Sequence, residues 1–318
     1  MLGESINELK MSKIYRFMAL TELHHLLNNS SLKFVRLSTM EDPNEGLGHV
    51  LGFLESFSYS FGIKTPEKIK EYHESVKGRN YITSWTMEPD LMAMWLLYSK
   101  NRDSIRVRTS LDKLEFATKE YFDKHISTNH IDSAEGTLQL DSYPYVKPVK
   151  YVSFESLSDE IKEKYKKYIK ICVEHSRSDS FSEELRKFDD GRSIDVFDSL
   201  YLKDVSYFHE KEIRANISIC IRNGVTRAEL EEQKKQETMS YVMGTSTHGY
   251  PPSSELPDVI HVPIPSDFIE AVCFDPRTPE YIRKEQESIL RHVWPNINVE
   301  ESRAFGYKPS HHQFSLED

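Results

Sequence analysis

Cysteine is scarce in this sequence, and so are long apolar runs. The three cysteines among 318 residues, Cys172, Cys220 and Cys273, lie far apart and form no Cys-x-x-Cys pair. Such an odd, sparse set indicates reduced thiols in a cytoplasm and argues against a disulfide framework or a cysteine zinc site. The longest apolar run, around Ala93–Tyr98, is far shorter than the ~20 residues that a membrane-spanning helix needs. Because the start of the chain also lacks the basic residues and apolar core of a secretory signal, we expect a cytoplasmic protein without membrane association.

Several catalytic signatures are absent as well. The sequence contains no Gly-x-x-x-x-Gly-Lys-Ser/Thr, which argues against a P-loop nucleotide hydrolase. Gly-x-Gly-x-x-Gly after a strand, His-Glu-x-x-His and Gly-x-Ser-x-Gly are missing too. With 51 acidic and 41 basic side chains, the formal net charge is −10, so the protein as a whole has no field that gathers nucleic acid.

The patterns that are present predict an α+β fold. Neither an internal repeat nor a linker-like tract divides the chain, so we predict one domain over residues 1–318. Strand and helix patterns mingle without a strict βαβ order, which favours a split, twisted mixed β-sheet with flanking helices. A charged stretch, Ser156–Phe188, predicts an insertion of two helices at about residues 155–200.

The predicted elements cover most of the chain. The predicted strands are Lys13–Phe17, Leu32–Leu37, Tyr81–Trp85, Ser104–Thr109, Val146–Phe154, Val205–Phe208, Ile213–Ile221 and Ile269–Phe274. The predicted helices outside the insertion follow Thr21 and span Leu47–Phe61, Pro66–Val76, Pro89–Tyr98, Leu111–Phe122, Arg227–Lys235 and Pro279–Val293. The stretch Ile126–Ser142 is polar, and we expect it to be irregular.

A Glu-x-Glu pair, Glu210 and Glu212, is the most suggestive candidate for chemistry. It lies at the entry of an alternating strand, where i and i+2 side chains point to the same side. Two like charges held together in a cleft raise one pKa, which suits general acid–base work. The alternative is a solvated strand edge, or pairing of the two carboxylates with Lys211 and Arg214.

Two polar elements precede this pair in the sequence. Arg16 lies on the first predicted strand, and Thr83-Ser84 lies on the strand Tyr81–Trp85. This order of Arg, Thr-Ser and Glu-x-Glu resembles the R-S-E pattern of the arginine-type ADP-ribosyltransferases. The long interval between Ser84 and Glu210 would then hold the helical insertion.

The resemblance implies a role for each matching residue. Arg16 would hold the pyrophosphate of NAD, and Ser84 with Thr83 would orient the nicotinamide side and the glutamates. Glu212 would stabilise the cation, and Glu210 would act as the base toward the acceptor. NAD would be the substrate, with a protein or nucleic acid as the macromolecular acceptor and no metal.

Two aromatic residues complete the candidate NAD site. Tyr15 precedes the arginine, and Trp85 could stack a nicotinamide or adenine ring. Met94, Trp95 and Tyr98 share one helix face, where we favour core packing over a stacking platform for a base.

A longer resemblance covers residues 13–290. It rests on six elements in order: Tyr15-Arg16, Leu32-Lys33-Phe34, the loop Glu41–Gly46, Ser84-Trp85, Met94-Trp95 with Tyr98, and Tyr207–Arg214. In this order they are similar to a bacterial family of uncharacterised domains that includes abortive-infection proteins of the AbiGi type. That similarity implies a bacterial cytosolic protein of phage defence or of a toxin system, with a partner protein of such a system.

Two other functions stay open at this point. Asp42 and Glu45, together with the Glu-x-Glu pair, could hold a divalent cation in a metal-dependent nuclease. For these two residues we favour a turn instead, with Glu45 capping the following helix. The other possibility is a non-catalytic sensing or binding module, in which the same charges form a structural network.

Overall fold

The computed structural model describes residues 12–56, 66–125, 131–133, 136–140, 146–175, 181, 183–184, 198–223, 248–249 and 256–305. The strands are β1 (Lys13–Ala19), β2 (Ser31–Arg36), β3 (Asn80–Thr86), β4 (Ser104–Ser110), β5 (Ile131–Ser133), β6 (Gly136–Leu140), β7 (Val146–Pro148), β8 (Lys150–Val152), β9 (Leu202–Asp204), β10 (Glu212–Asn223), β11 (His248–Gly249), β12 (Val259–Pro263) and β13 (Ala271–Phe274). The helices are α1 (Leu20–Asn29), α2 (Leu47–Ser56), α3 (Pro66–Arg79), α4 (Met92–Tyr98), α5 (Leu111–His125), α6 (Phe154–His175) and α7 (Glu280–Val293). The predicted α+β class is confirmed.

One large antiparallel sheet forms the centre of the protein. Its strands follow the order β13-β4-β1-β3-β10-β6-β5, and β2 joins it between β3 and β12. Strands β8 and β9 pair in parallel in a separate small sheet. We predicted a mixed sheet, with parallel and antiparallel strands. The structure divides these two directions between a large antiparallel sheet and a small parallel one.

The large sheet splits between β1 and β3. The two strands pair at Tyr15–Thr86, whereas β1 pairs with β4 along its whole length. At its other end β3 pairs with β2, at Val35–Ile82. The two halves of the sheet thus diverge just beyond the Tyr15–Thr86 pair.

The main core lies on one face of this sheet. Strand side chains such as Ile14, Trp85 and Ile213 point into it and are almost fully buried. Three helices cover them, each with an apolar face at helical spacing. The buried helix residues are Leu23 and Leu26 of α1, Leu111, Leu114, Ala117 and Phe122 of α5, and Leu290 of α7.

The predicted helical insertion is present in part. Helix α6 packs on α2 through a buried cluster that includes Leu51, Ile161 and Leu202. An ion pair between Lys164 Nζ and the buried Glu55 Oε1, 2.9 Å apart, joins the same two helices. The second predicted helix of this insertion falls mostly outside the described residues, and the predicted helix Arg227–Lys235 lies wholly outside them.

Two local predictions are wrong, and a strand was not predicted. The predicted strand Val205–Phe208 is a 3-10 helix, Val205–Glu210, whose start is capped by the Asp204 carboxylate accepting from the Ser206 amide. In the stretch that we expected to be irregular, β5 and β6 form a hairpin. Strand β12 was not predicted, although Val259, Ile260 and Val262 alternate with polar residues in part of it.

Among the residues that the structure describes, no helix is long and apolar enough to cross a bilayer.

Close packing at Gly48 fixes the position of β9. A Cβ atom at this position of α2 would lie 2.6 Å from both the Leu202 Cβ and the Ser199 carbonyl oxygen. We expect Gly48→Ala to lower the free energy of unfolding by about 1–3 kcal/mol, because backbone must move to admit the methyl group. Urea unfolding measures the change. Ser288→Ala on the exposed side of α7 is the control and should stay within about 0.5 kcal/mol; equal losses in both variants would contradict the packing argument.

Candidate functional site

A cleft of about 270 Å³ lies at the point where the large sheet splits. Both halves of the sheet, α1, α4 and the segment before β10 contribute to its wall. The lining residues are Tyr15, Arg16, Phe17, Glu22, Val35, Met40, Ile82, Thr83, Ser84, Trp85, Thr86, Met94, Tyr98, Glu210 and Glu212. All seven candidate site residues predicted from the sequence are therefore found around one cleft.

The first polar group of the cleft is centred on Arg16. This residue follows Tyr15 on β1, just beyond the pairing of β1 with β3, and its Nη1 donates a hydrogen bond to the Thr83 Oγ1. Its Nη2 lies 2.9 Å from Glu22 Oε1 on the first turn of α1. The guanidinium is thereby held between β3 and the helix.

The second polar group is centred on Glu212, the first residue of β10. Arg214 binds both of its carboxylate oxygens, with Nε 2.7 Å from Oε1 and Nη2 3.2 Å from Oε2. Ser84 Oγ donates to Oε1 at 2.7 Å. Strand pairing places these groups together, since Arg214 lies opposite Ser84 in the β3–β10 register and Glu212 is two residues away on the same face.

Glu210 reaches the same place by a different route from the one predicted. It ends the 3-10 helix, and Lys211 follows with φ of 45°, so the two glutamates do not lie on one regular strand. Lys203 of β9 brings them together, with Nζ 2.6 Å from Glu210 Oε2 and 3.3 Å from Glu212 Oε2. Tyr98 is the last residue of α4, and its Oη donates a hydrogen bond of 3.1 Å to Glu210 Oε1.

The electrostatics of the glutamate pair differ from our expectation. Burial alone would raise the pKa of Glu212, but the Arg214 guanidinium and the Lys203 ammonium lower that pKa to about 2. Burial likewise opposes the charge of Lys203, and the carboxylates of Glu212 and Glu210 nonetheless raise its pKa. The expectation of a raised pKa through like-charge repulsion is therefore wrong for Glu212, because cations stand beside both carboxylates.

Glu45 belongs to this arrangement. Its Oε1 lies 2.8 Å from Arg214 Nη1, and both side chains are buried, so the capping role that we predicted is wrong. Asp42 does form the expected turn, since its Oδ1 accepts from the Asn44 amide at 2.9 Å.

We call Glu45, Lys203, Glu210, Glu212 and Arg214 the charged cluster. Its three carboxylates and two cations leave one net negative charge.

The remaining candidates are placed less favourably. The Trp85 side chain is 2% exposed and packs edge-on against Phe268 in the core, with ring centroids 5.9 Å apart, so its ring is not available for stacking on a ligand. The Tyr15 ring lies under the Arg106 guanidinium, 5.0 Å from ring centroid to Cζ. Of the three residues predicted to pack in the core, Met94 and Trp95 do so.

A metal site does not follow from these carboxylates. Within the described ranges, no group of three or more His, Cys, Asp or Glu side chains is arranged to hold a metal ion. Three of the four acidic residues that we considered for a nuclease face cations instead: Glu45 faces Arg214, and the Glu-x-Glu pair faces Lys203.

Sequence reasoning missed Lys203 and the site role of Tyr98. Lys203 follows a short apolar segment and has no neighbouring motif, so nothing local marks it as a partner of the glutamates. The helical spacing of Tyr98 from Met94 and Trp95 predicts core packing. Its position at the end of α4 is the signal that its side chain lies outside the core.

Comparison with known protein families gives a match to part of the chain. Residues 94–215 match the family described as "Protein of unknown function (DUF2971)". This agrees with the expected similarity to a family of uncharacterised domains, over a shorter stretch than the predicted 13–290. No curated protein and no solved structure matches the chain.

Arg214 is the group on which the charged cluster depends. Arg214→Met would leave two buried carboxylates, Glu45 and Glu212, without their guanidinium, and we expect a loss of about 3–5 kcal/mol in the free energy of unfolding. Arg291→Met is the control, since Arg291 pairs with Glu287 on the exposed surface of α7 and should cost at most about 1 kcal/mol. Urea unfolding compares the two variants, and a loss for Arg214→Met as small as that of the control would refute the dependence.

The lowered pKa of Glu212 predicts a pH dependence of stability. Its folded pKa of about 2 lies below the ordinary value of 4.5, so its ionisation stabilises the fold above about pH 4.5, and this contribution is lost as the pH falls toward 2. The difference in unfolding free energy between the wild type and Glu212→Gln should therefore shrink with falling pH. Glu285→Gln on α7 serves as the surface control, for which we expect a difference near zero throughout. A gap for Glu212→Gln that stays constant down to pH 3 would contradict the assignment.

Proposed function

We propose that the protein cleaves the nicotinamide–ribose bond of NAD, as an ADP-ribosyltransferase or an NAD glycohydrolase. One observation carries the proposal: Arg16, Ser84, Glu210 and Glu212 line a single cleft at the split of the sheet. The resemblance of these residues to the R-S-E pattern supports it, because the three elements come from separate strands and meet only in the folded chain.

The two polar groups of the cleft suit two parts of the substrate. A planar guanidinium such as Arg16 binds pyrophosphate through paired hydrogen bonds. The charged cluster, with its net negative charge, suits the positively charged pyridinium and its ribose. At about 270 Å³ the cleft is near the lower end of ligand sites, roughly 300 Å³, so it would enclose the nicotinamide riboside half and leave the adenosine outside.

The reaction begins with departure of nicotinamide. The bond between ribose C1′ and the pyridinium nitrogen breaks, and its electron pair stays on the nitrogen, which becomes neutral. The positive charge passes to the ribose C1′ and ring oxygen as an oxocarbenium-like centre, much as in glycoside cleavage. A fixed carboxylate nearby lowers the energy of this centre electrostatically.

Glu212 has the properties that this carboxylate needs. Its low pKa keeps it ionised at neutral pH, and Arg214 and Ser84 hold both of its oxygens in place. Its neighbours offset part of its charge, but the cluster as a whole retains one negative charge. Because the orientation is fixed before the substrate binds, no reorganisation is needed when the cation forms.

Glu210 completes the reaction on the acceptor side. Water or an acceptor group attacks C1′, and the proton that it loses passes to the Glu210 carboxylate. With water the products are ADP-ribose, nicotinamide and a proton; with a macromolecule the ADP-ribose is transferred. The Tyr98 hydroxyl donates to Glu210, and burial together with that carboxylate raises the pKa of Tyr98, so the donor stays protonated.

We place this activity in the cytoplasm of a bacterium, as an effector of phage defence or of a toxin system that acts with a partner protein. The similarity to abortive-infection proteins of the AbiGi type supports this setting. Depletion of NAD, or modification of an essential macromolecule, would arrest growth of the cell that contains the active protein.

The test is release of nicotinamide from NAD by the purified full-length protein, with and without cell lysate as a source of acceptor. We expect Glu212→Gln to lower the rate about 10²–10³-fold, since the cation loses its fixed carboxylate. Ser84→Ala should lower it about tenfold, because one hydrogen bond that orients Glu212 is lost. Chromatography of nicotinamide and growth of expressing cells are the two measurements.

Folding must be separated from chemistry in these variants. Circular dichroism and thermal unfolding should show folded protein for both, and Glu285→Gln should keep the wild-type rate. Wild-type rates in folded Glu212→Gln would end the proposal. Binding of NAD without turnover would point to a sensing module, and Mg²⁺-dependent nicking of DNA without nicotinamide release would point to a nuclease.

A further inference from the structure

The cleft contains an ion pair whose acidic member, Glu22, has no role in the proposed reaction. Arg16 Nη2 and Glu22 Oε1 lie 2.9 Å apart, and both residues line the cleft. Their side chains are 15% and 29% exposed, so a ligand that enters the cleft reaches both. Helix α1 begins directly after β1, and this short connection keeps the two residues together.

We propose that Glu22 determines specificity by competing with the pyrophosphate of the substrate for Arg16. This inference rests on the proposed function, because the pyrophosphate is that of NAD. The planar edge of a guanidinium binds a carboxylate and a phosphate in the same geometry. In the structure Nη1 is directed to Thr83 and Nη2 to Glu22. A phosphate that binds the Nη2 side of Arg16 is brought close to the Glu22 carboxylate, and the repulsion between the two anions favours displacement of the carboxylate.

The position of Glu22 makes this exchange possible. Partly exposed ion pairs are weak, since solvent screens both charges. Glu22 also lies in the first turn of α1, where the partial positive charge of a helix N-terminus stabilises a carboxylate. After it leaves Arg16, Glu22 therefore keeps one favourable interaction while it turns toward solvent.

Competition of this kind selects among anions. An anion binds at Arg16 only if its interaction with the guanidinium exceeds that of the carboxylate already present. A pyrophosphate with two phosphate groups meets this condition better than a single weakly charged anion. Nicotinamide riboside, which has no phosphate, would leave the Arg16–Glu22 pair intact, so Glu22 would affect its binding little.

The experiment compares Glu22→Gln, Arg16→Gln and the double variant in the full-length protein. Calorimetry measures the affinity for inorganic pyrophosphate, and nicotinamide release gives KM for NAD and for nicotinamide riboside. We expect Glu22→Gln to tighten pyrophosphate binding and to lower KM for NAD, each about tenfold, since a charged competitor is removed. KM for nicotinamide riboside should change less than about twofold. In the Arg16→Gln background, Glu22→Gln should have no effect, because the two residues act as one pair.

Glu285→Gln is the charge-matched control, since it removes the same charge from the exposed surface of α7. Equal tightening in this control would show a general field effect and overturn the inference. Unchanged or weaker pyrophosphate binding in Glu22→Gln would overturn it as well. If the wild type releases no nicotinamide, the proposed function fails, and the pyrophosphate titration still decides the role of Glu22.

Discussion

The contact between Arg214 and Glu212 is the interaction on which the site depends. Both side chains are almost fully buried, and removing such charges from water costs several kcal/mol each unless partners satisfy them. The partners come from distant parts of the chain: Glu45 from the loop before α2, Ser84 from β3 and Lys203 from β9. The need to satisfy one buried pair thus ties the small sheet and the loop before α2 to the large sheet.

The same arrangement explains how a cleft persists in a tightly packed sheet. Strands β1 and β3 separate after one pair of residues, and each then follows another neighbour. The charged cluster holds one wall of the opening, and the Arg16–Thr83 contact holds the other. Because Arg214 and Ser84 hold the Glu212 carboxylate before any ligand binds, its charge acts on a bound molecule without reorientation of that side chain.

The charged cluster keeps one net negative charge although it is buried, because its two cations balance two of its three carboxylates. Two carboxylates alone would repel each other, and one of them would take up a proton. Arg214 and, to a smaller extent, Lys203 offset this repulsion and keep Glu212 ionised, and they also weaken the negative potential that Glu212 produces in the cleft. Within the stretch 94–215 that matches the uncharacterised family lie Lys203, both glutamates of the pair and Arg214, whereas Arg16 and Glu22 lie outside it.

Local pattern was enough to predict most elements of the fold and the identity of the first candidates. Strands β1, β3 and β10 show alternation or apolar runs, and Arg16, Ser84 and Glu212 belong to them, so the sequence alone determined which strands carry the polar groups. Only the tertiary structure decided the partners. Lys203 is one of 41 basic side chains with no local mark, and Glu45 lies in a turn that reads as a helix cap. The physical reason is that secondary structure follows from neighbours a few residues apart, whereas the pairing of a buried charge depends on which distant segment packs against it.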